Sequence, residues 1–150
     1  MRIKDTADVV VERLSNITQA NGYYTNLGGN IVANQGRVVS ESEIFSDTVN
    51  LVDEGVSWES ENTAYVRTHA LSCQFFVVSE DNKTLNDKIY DALDDVEKFL
   101  FGIKTTGLGA GRSANIKMGK AKALPWAHSE NRDIALIELT LTFTYKLQGL

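Results

Sequence analysis

The chain has 150 residues, 43% of them hydrophobic and 23% charged, with a formal net charge of −5. These proportions exclude a disordered chain and predict one globular domain, over residues 1–150, with a single core. The one cysteine excludes an internal disulfide, and the acidic balance argues against nucleic acid as the main partner.

The first residues lack the pattern of a secretion signal. Asp8 and Glu12 flank the apolar run Val9–Val11, so no signal-peptide core is present there. No stretch approaches the roughly 20 apolar residues that span a bilayer. We therefore expect no membrane partner, and we expect the chain to stay in the cytosol of the cell that makes it.

The first predicted element is a helix over residues 5–20, where apolar residues recur at helical spacing. Asp5 or Thr6 can cap its first turn. Asn21-Gly22 is expected to end it, because both residues tolerate the left-handed conformation that closes a helix.

Short strands and a loop are predicted next. A strand is expected near residues 30–33, and a turn at 34–36 precedes Val38-Val39. A weaker strand is predicted over residues 44–53. The polar stretch 54–62 is predicted to be a loop.

A strong strand is predicted over residues 64–78. One of its faces is apolar throughout its second half, and the other face becomes apolar at Phe76 and Val78. We therefore expect a central strand that is packed on both faces at this end.

The clearest amphipathic helix follows this strand. Thr84 and Asp87 resemble a capping box at its start, and Gly102 is predicted to end it. Its apolar residues at helical spacing are Leu85, Ile89, Ala92, Leu93, Val96, Phe99 and Leu100.

The C-terminal part begins with the glycine-rich residues 103–115 and continues with a strand predicted over 116–124. Pro125 is expected to break that strand, and residues 126–133 to connect it to the last one. Strict alternation of apolar and polar residues predicts a final strand over 135–147, with one face buried and one face wet.

These elements define an α+β fold in the order α-β-β-β-α-β-β. We expect a mixed, mainly antiparallel sheet of four to five strands with the two amphipathic helices packed on it. No repeat and no linker divides the chain.

Residues that could support catalysis or bind a metal are few. His69 and Cys73 share a strand face but lie about 13 Å apart along it, too far to bind one metal ion. A nucleophilic pair of Cys73 and His128 remains open, although a cysteine in the middle of a strand is more typical of a buried apolar residue. We expect no metal, no cofactor and no enzymatic activity.

Two further segments resemble functional motifs. Gly107–Gly111 contains three glycines but follows a helix and precedes a strand, the reverse of the dinucleotide fingerprint. A mobile connection is therefore the favoured interpretation of that segment. The acidic residues of the second helix are interpreted as its solvated face: Asp87, Asp91, Asp94 and Asp95.

Charge is segregated along the chain. Seven acids and no Lys or Arg occupy residues 41–61: Glu41, Glu43, Asp47, Asp53, Glu54, Glu59 and Glu61. Five bases and no Asp or Glu occupy residues 104–122: Lys104, Arg112, Lys117, Lys120 and Lys122. Two such patches suit a head-to-tail contact between copies, which gives a ring if the rotation closes. Mutual neutralisation within one fold, or simple solvation, is the alternative.

The layout over residues 3–147 resembles the tail terminator (tail completion) proteins of long-tailed bacteriophages. The likeness rests on the turn Asn21–Tyr24 and the acidic middle of the chain. It rests further on the long strand Arg67–Val78, which is followed by a helix of the form Lys83-Thr84-Leu85…Ile89–Leu93. The last shared segment is the final run Thr142–Tyr145. Proteins of this family form a hexameric ring that caps the tail tube and joins the head connector.

The resemblance implies a structural protein of the virion tail, assembled in the host bacterial cytoplasm. Its partners would be its own copies, the tail tube protein and the head–tail connector or neck protein, with the end of the tape measure or the sheath as further candidates. DNA would pass through the ring without specific binding. The alternatives are another neck component, or a small enzyme or ligand-binding domain that uses Gly107–Gly111.

Overall fold

The computed structural model describes residues 3–32, 44–79, 82–106, 115–118, 122–129 and 132–148. Two α-helices and six strands are present among them. In chain order they are α1 (Ile3–Ser15), β1 (Ile31–Val32), β2 (Thr48–Glu61), β3 (Ala64–Ser79), α2 (Asn82–Thr106), β4 (Asn115–Met118), β5 (Lys122–Ser129) and β6 (Arg132–Gln148). The chain therefore has the predicted α+β class with a mixed sheet, and the sheet has six strands rather than four to five.

The strands form one sheet in the order β1-β2-β3-β6-β4, with β5 also paired to β6. Only the short β1–β2 pairing is parallel; the other pairings are antiparallel. β3 occupies one edge of β6 along its length. β4 and β5 therefore follow one another along the opposite edge of β6.

Helix α1 is shorter than its sequence pattern predicts, because it ends at Ser15 rather than near residue 20. Its buried side chains are Thr6, Val10 and Leu14, which lie one above the other at i, i+4 and i+8. A separate 3₁₀ turn follows at Gln19–Asn21 and is closed by Gly22 with φ of 84°. The predicted stop at Asn21-Gly22 thus ends this turn instead of the helix.

The prediction of a loop at 54–62 is wrong, since β2 runs through Glu61 and pairs with β3 along the whole stretch. A two-residue turn at Asn62-Thr63 joins the strands, and Asn62 takes a left-handed φ of 54°. A bulge between Asp53 and Gly55 shifts the register. Backbone pairing, not apolar alternation, holds this half of β2 in the sheet.

Two other predicted breaks lie inside regular elements. Helix α2 continues past Gly102 to Thr106, because Ile103 is buried in the core and supports another turn. Pro125 lies within β5, where the register with β6 shifts between Pro125 and Ala127. A proline is compatible with such an irregular, outer strand.

The main core lies between the two helices and one face of the sheet. Its fully buried side chains include Leu14 of α1, Phe75 of β3 and Phe143 of β6. A second cluster on the opposite face consists of Ile44, Phe76, Val78 and Ile134, with Leu136 against it. The prediction that β3 is packed on both faces at its end is therefore confirmed. Neither helix in the described part of the chain combines the length and apolar character needed to cross a membrane.

Candidate interaction surface

The two candidate catalytic residues lie far apart. Cys73 is fully buried, and desolvation raises the pKa of its thiol from 9.0 to about 12, so the thiol is protonated at neutral pH. His128 of β5 is opposite Asp133 of β6, which pairs with Ser79 of β3. The strand from Cys73 to Ser79 extends about 20 Å. Cys73 and His128 therefore do not form a nucleophilic pair.

The described side chains contain no group of three His, Cys, Asp or Glu that could hold a metal ion. The segment Gly107–Gly111 lies outside the described residues. Its flanks are the end of α2 at Thr106 and the start of β4 at Asn115. It therefore links a helix to a strand, as the sequence predicts, in the order opposite to that of a dinucleotide-binding loop.

The acidic group on α2 divides into two kinds of residue. Asp87, Asp91 and Asp94 are exposed, as predicted. The same prediction is wrong for Asp95, which is only 1% exposed. Its carboxylate accepts hydrogen bonds from the backbone N–H groups of Tyr24 and Thr25 at 2.9 and 2.8 Å. Asp95 therefore orders the connection after α1 and is not part of a solvated face.

The acidic segment 41–61 lies mainly on β2. Asp47 accepts a hydrogen bond from the N–H of Val78 at 3.0 Å, so its carboxylate is used within the fold. Glu54 and Glu59 are exposed, which leaves them available to a partner. Glu61 is the last residue of β2, and Glu41 and Glu43 lie outside the described residues.

Asp53 lies at the start of the β2 bulge, and its exposed side chain contacts the buried His69, a pairing that the sequence pattern does not predict. Its Oδ2 is 2.9 Å from Nε2 of His69, which is 1% exposed, and its Oδ1 accepts the N–H of Gly55 at 2.9 Å. The pairing of β2 with β3 places Asp53 and His69 side by side. The signal for this contact is the hairpin that folds β2 back on β3, which brings Asp53 next to His69.

A cavity of about 330 Å³ adjoins this contact, between α1 on one side and β2 and β3 on the other. Leu51 and Leu71 contribute apolar surface from the strands, and His69 and Asp53 lie at its polar end. On the helix side Lys4 and Asp8 form an exposed i,i+4 ion pair at 3.8 Å. The edge of the sheet near the bulge is therefore concave, with apolar walls and a charged rim. The wall residues are Ile3, Lys4, Ala7, Asp8, Val11, Leu51, Asp53, His69 and Leu71.

The basic segment 104–122 leads from the end of α2 to the opposite edge of the sheet. Lys104 lies in the last turns of α2, Lys117 lies on β4 opposite Thr142, and Lys122 begins β5 opposite Glu138. Arg112 and Lys120 lie outside the described residues. In the backbone register Lys122 is opposite the acidic Glu138, whereas Lys117 is opposite the uncharged Thr142.

The acidic and basic strands are separated by β3 and β6. Three strand spacings lie between β2 and β4, roughly 14 Å. The acidic residues on β2 and the basic residues on β4 and β5 therefore lie on opposite sides of the β3–β6 pair.

The outer side of β2 is paired over only part of its length by the residues that the structure describes. Among the described residues β2 pairs on its outer side only with β1, opposite Val49 and Asn50. Trp58 lies beyond that pairing, and it is 57% exposed. An exposed tryptophan is a feature that interfaces use as an anchor.

Comparison of the chain with protein-family models and with curated proteins finds no match.

Proposed function

We propose that this protein is a structural assembly protein and not an enzyme. It is a subunit of a homo-oligomeric, hexameric ring that caps the tail tube of a long-tailed bacteriophage, as a tail terminator does. The observation that carries the proposal is that β2, with Glu54 and Glu59, and β4, with Lys117, lie on opposite sides of the β3–β6 pair in one sheet. A copy with such edges offers one surface to the copy before it and a different one to the copy after it.

Ring closure explains why the charges are segregated. A head-to-tail contact joins unlike surfaces, so opposite charges on the two edges attract, whereas like edges repel each other. A two-fold contact would instead bring identical edges together. The charge pattern therefore favours a cyclic assembly over an isologous dimer.

The remaining partners follow from the role of a cap. One rim of the ring meets the last ring of tail tube subunits, and the other meets the head–tail connector in the neck of the virion. The net charge of −5 keeps passing DNA from binding nonspecifically, since like charges repel.

Native mass spectrometry and electron microscopy of the purified chain test the proposal. The expected result is one discrete oligomer with rotational symmetry at high concentration, and shorter tubes when the protein is added to polymerising tube subunits. A chain that stays monomeric at every concentration and leaves tube length unchanged contradicts the proposal. Saturable binding of a small ligand to a monomer would favour a ligand-binding domain instead.

A charge-reversed variant tests the role of the basic edge. Lys117→Glu, Lys120→Glu and Lys122→Glu together should abolish the oligomer and leave the circular dichroism spectrum and the unfolding midpoint unchanged. The matched control is reversal of exposed charges on α2, Asp91→Lys with Asp94→Lys, which should leave the oligomer intact. An oligomer that survives the triple reversal would contradict a role for charge attraction in assembly.

A further inference from the structure

An acidic residue takes a core-facing position beside the cavity between α1 and the strands. Asp53 is opposite Leu71 in the β2–β3 register, and Leu71 belongs to the main core. Residues that are directly opposite point to the same face of a sheet, so the Asp53 side chain lies on the helix side of β2. This side chain is 38% exposed and lines the cavity. Asp53 is therefore the acid that a molecule entering the cavity between α1 and β2 meets.

Two hydrogen bonds fix the orientation of the Asp53 carboxylate. Its Oδ2 lies 2.9 Å from Nε2 of His69, and its Oδ1 accepts the backbone N–H of Gly55 at 2.9 Å. A carboxylate has about four lone-pair sites, so each oxygen keeps the capacity to accept a further hydrogen bond. Asp53 is therefore a preorganised acceptor at the polar end of the cavity.

His69 adds a second acceptor at this end. Because the Asp53 carboxylate only accepts, Nε2 carries the hydrogen in their contact, and Nδ1 of the neutral ring has a lone pair. Nδ1 is buried, and none of the described residues forms a hydrogen bond with it. Both polar groups at this end of the cavity are thus complementary to a hydrogen-bond donor and not to an acceptor.

The charges around the cavity favour a cation. Lys4 and Asp8 lie 3.8 Å apart as an ion pair, and their side chains are 74% and 61% exposed, so this rim faces solvent. The charged side chains among the described wall residues are those of Lys4, Asp8 and Asp53. Because Lys4 and Asp8 balance each other, the charge of Asp53 remains for a ligand.

The other walls select for an apolar body. Leu51 and Leu71 are buried, and Ala7 and Val11 of α1 are half-buried. The cavity of about 330 Å³ lies at the lower end of the range of roughly 300–1,000 Å³ that is typical of ligand pockets. Such pockets combine apolar walls with a few polar groups that fix the orientation of the ligand. The cavity therefore suits one small molecule with a single polar head.

We infer that this cavity binds a small primary amine. The ammonium group of the ligand donates to the carboxylate of Asp53, and its alkyl or aryl body packs between α1 and the two leucines, Leu51 and Leu71. The charge-assisted hydrogen bond supplies specificity for the head group, and burial of the apolar body supplies the remaining affinity. The described walls belong to a single copy of the chain, so the site goes beyond the proposed ring and does not depend on it.

Titration calorimetry of the purified chain with phenethylamine and with hexylamine tests the site. We expect saturable one-to-one binding of both amines. Phenethyl alcohol and hydrocinnamate keep the aromatic body but carry a hydroxyl or a carboxylate, and they should bind at least about tenfold more weakly than phenethylamine. Equal or tighter binding of hydrocinnamate overturns the assigned class of ligand. Absence of saturable binding of both amines overturns the site.

Isosteric variants test the role of the carboxylate. Asp53→Asn keeps the shape of the side chain and removes its charge, so it should weaken phenethylamine binding by about tenfold or more. Glu54→Gln removes the same charge from the next residue, which is not among the described wall residues, and should leave binding unchanged. Ala7→Leu should also weaken binding, because the larger side chain fills space on the α1 side of the cavity. Circular dichroism reports the fold of each variant, and unchanged binding by a folded Asp53→Asn overturns the assigned contact.

Methyl NMR spectra locate the bound amine. The methyl resonances of Ala7, Leu51 and Leu71 should shift on titration, whereas those of Val78, in the cluster on the opposite face of the sheet, should not. Shifts that leave out all three wall residues overturn the assigned cavity.

A lysine amide acetylated on its α-amino group separates a free amine from the lysine side chain of a partner protein. Binding of this compound without binding of phenethylamine or hexylamine overturns the small-molecule assignment in favour of a docking pocket for lysine. Sedimentation of the same samples reports the oligomer, so loss of amine binding and absence of the ring are recorded separately.

Discussion

The carboxylate of Asp95 accepts two hydrogen bonds from Thr25, one from its backbone N–H at 2.8 Å and one from its hydroxyl at 2.6 Å. These hydrogen bonds hold the segment that follows α1 against the buried side of α2. Burial and the nearby Asp95 also raise the pKa of Tyr23, burial being the larger cause. A charged side chain from one helix therefore fixes the path of the chain that leaves the other.

Replacement of Asp95 by asparagine should destabilise the fold by about 1.5–3 kcal/mol, because hydrogen bonds to the charged carboxylate are lost. In addition, the side-chain NH₂ group of asparagine would face N–H and O–H groups that are themselves donors. Urea unfolding followed by circular dichroism measures the change. Asp94→Asn, on the exposed neighbour, is the matched control and should stay within about 0.5 kcal/mol. Equal effects of the two variants would contradict a structural role for Asp95.

Gly28 marks a close approach of two backbone segments. A Cβ at this position would overlap the carbonyl oxygen of Leu14 and lie 2.8 Å from that of Ser15. Gly28→Ala should therefore lower the free energy of unfolding by more than about 1 kcal/mol. Gly29→Ala has open space around the new methyl group and should change it by less than about 0.5 kcal/mol. Thermal unfolding of both variants gives the comparison, and tolerance of alanine at Gly28 would be evidence against the close approach.

The buried thiol of Cys73 should be protected from alkylation in the folded protein. Its pKa of about 12 leaves almost no thiolate at pH 8, and the side chain is fully buried. We expect iodoacetamide to modify it only in urea, as measured by mass spectrometry. Rapid modification of the native chain at pH 8 would contradict its burial.

The same thiol predicts a stability change at alkaline pH. The folded-state pKa of the thiol lies above the ordinary value of 9.0. The contribution of Cys73 to the free energy of unfolding is therefore fully present below pH 9 and is lost as pH rises from 9 towards 12, because the unfolded thiol ionises first. Over that window the stability advantage of the wild type over Cys73→Ala should shrink by up to about 1.4 kcal/mol per pH unit. Urea unfolding of both proteins at pH 8, 9 and 10 measures it. A stability difference between the two proteins that stays constant over this pH range would contradict the raised pKa of Cys73.

Assembly through oppositely charged edges should weaken with salt. Raising ionic strength from about 0.1 M to about 1 M shortens the Debye length from about 10 Å to about 3 Å. The dissociation constant of the oligomer, measured by sedimentation, should rise by about tenfold or more over this range. Apolar contacts respond in the opposite sense to excluded salts such as sulfate, so tighter assembly in salt would point to an interface without charge attraction.

The parts of the fold that were predictable from sequence are those where burial on one face imposes a period. β3, the final strand and the stripe of α2 all show such a period, and the α+β class follows from them. The distal half of β2 shows none, because both of its faces are largely exposed there and its pairing is carried by backbone hydrogen bonds. Pro125 and Gly102 predict breaks from sequence, but a register shift in β5 and core packing of α2 accommodate them.

The candidate surface was predictable only in part. The segregation of acids and bases is visible in the printed sequence, but its meaning depends on which strands lie at the edges of the sheet. That order is set by the pairing of β3 with β6, which local patterns do not reveal. The burial of Asp95 and the Asp53–His69 contact likewise depend on neighbours that are distant in sequence.

The pairing of β3 with β6 also governs how the chain reaches its folded state. Ala64 pairs with Gln148 and Ser79 with Asp133, so the central ladder joins segments far apart in sequence. Contacts of this kind require closure of a long loop before they become favourable, which slows folding. Until β6 has been synthesised and has docked, the apolar face of β3 stays unsatisfied, and nascent chains are open to aggregation or to capture by chaperones. Completion of the central ladder therefore waits for β6, which is synthesised long after β3.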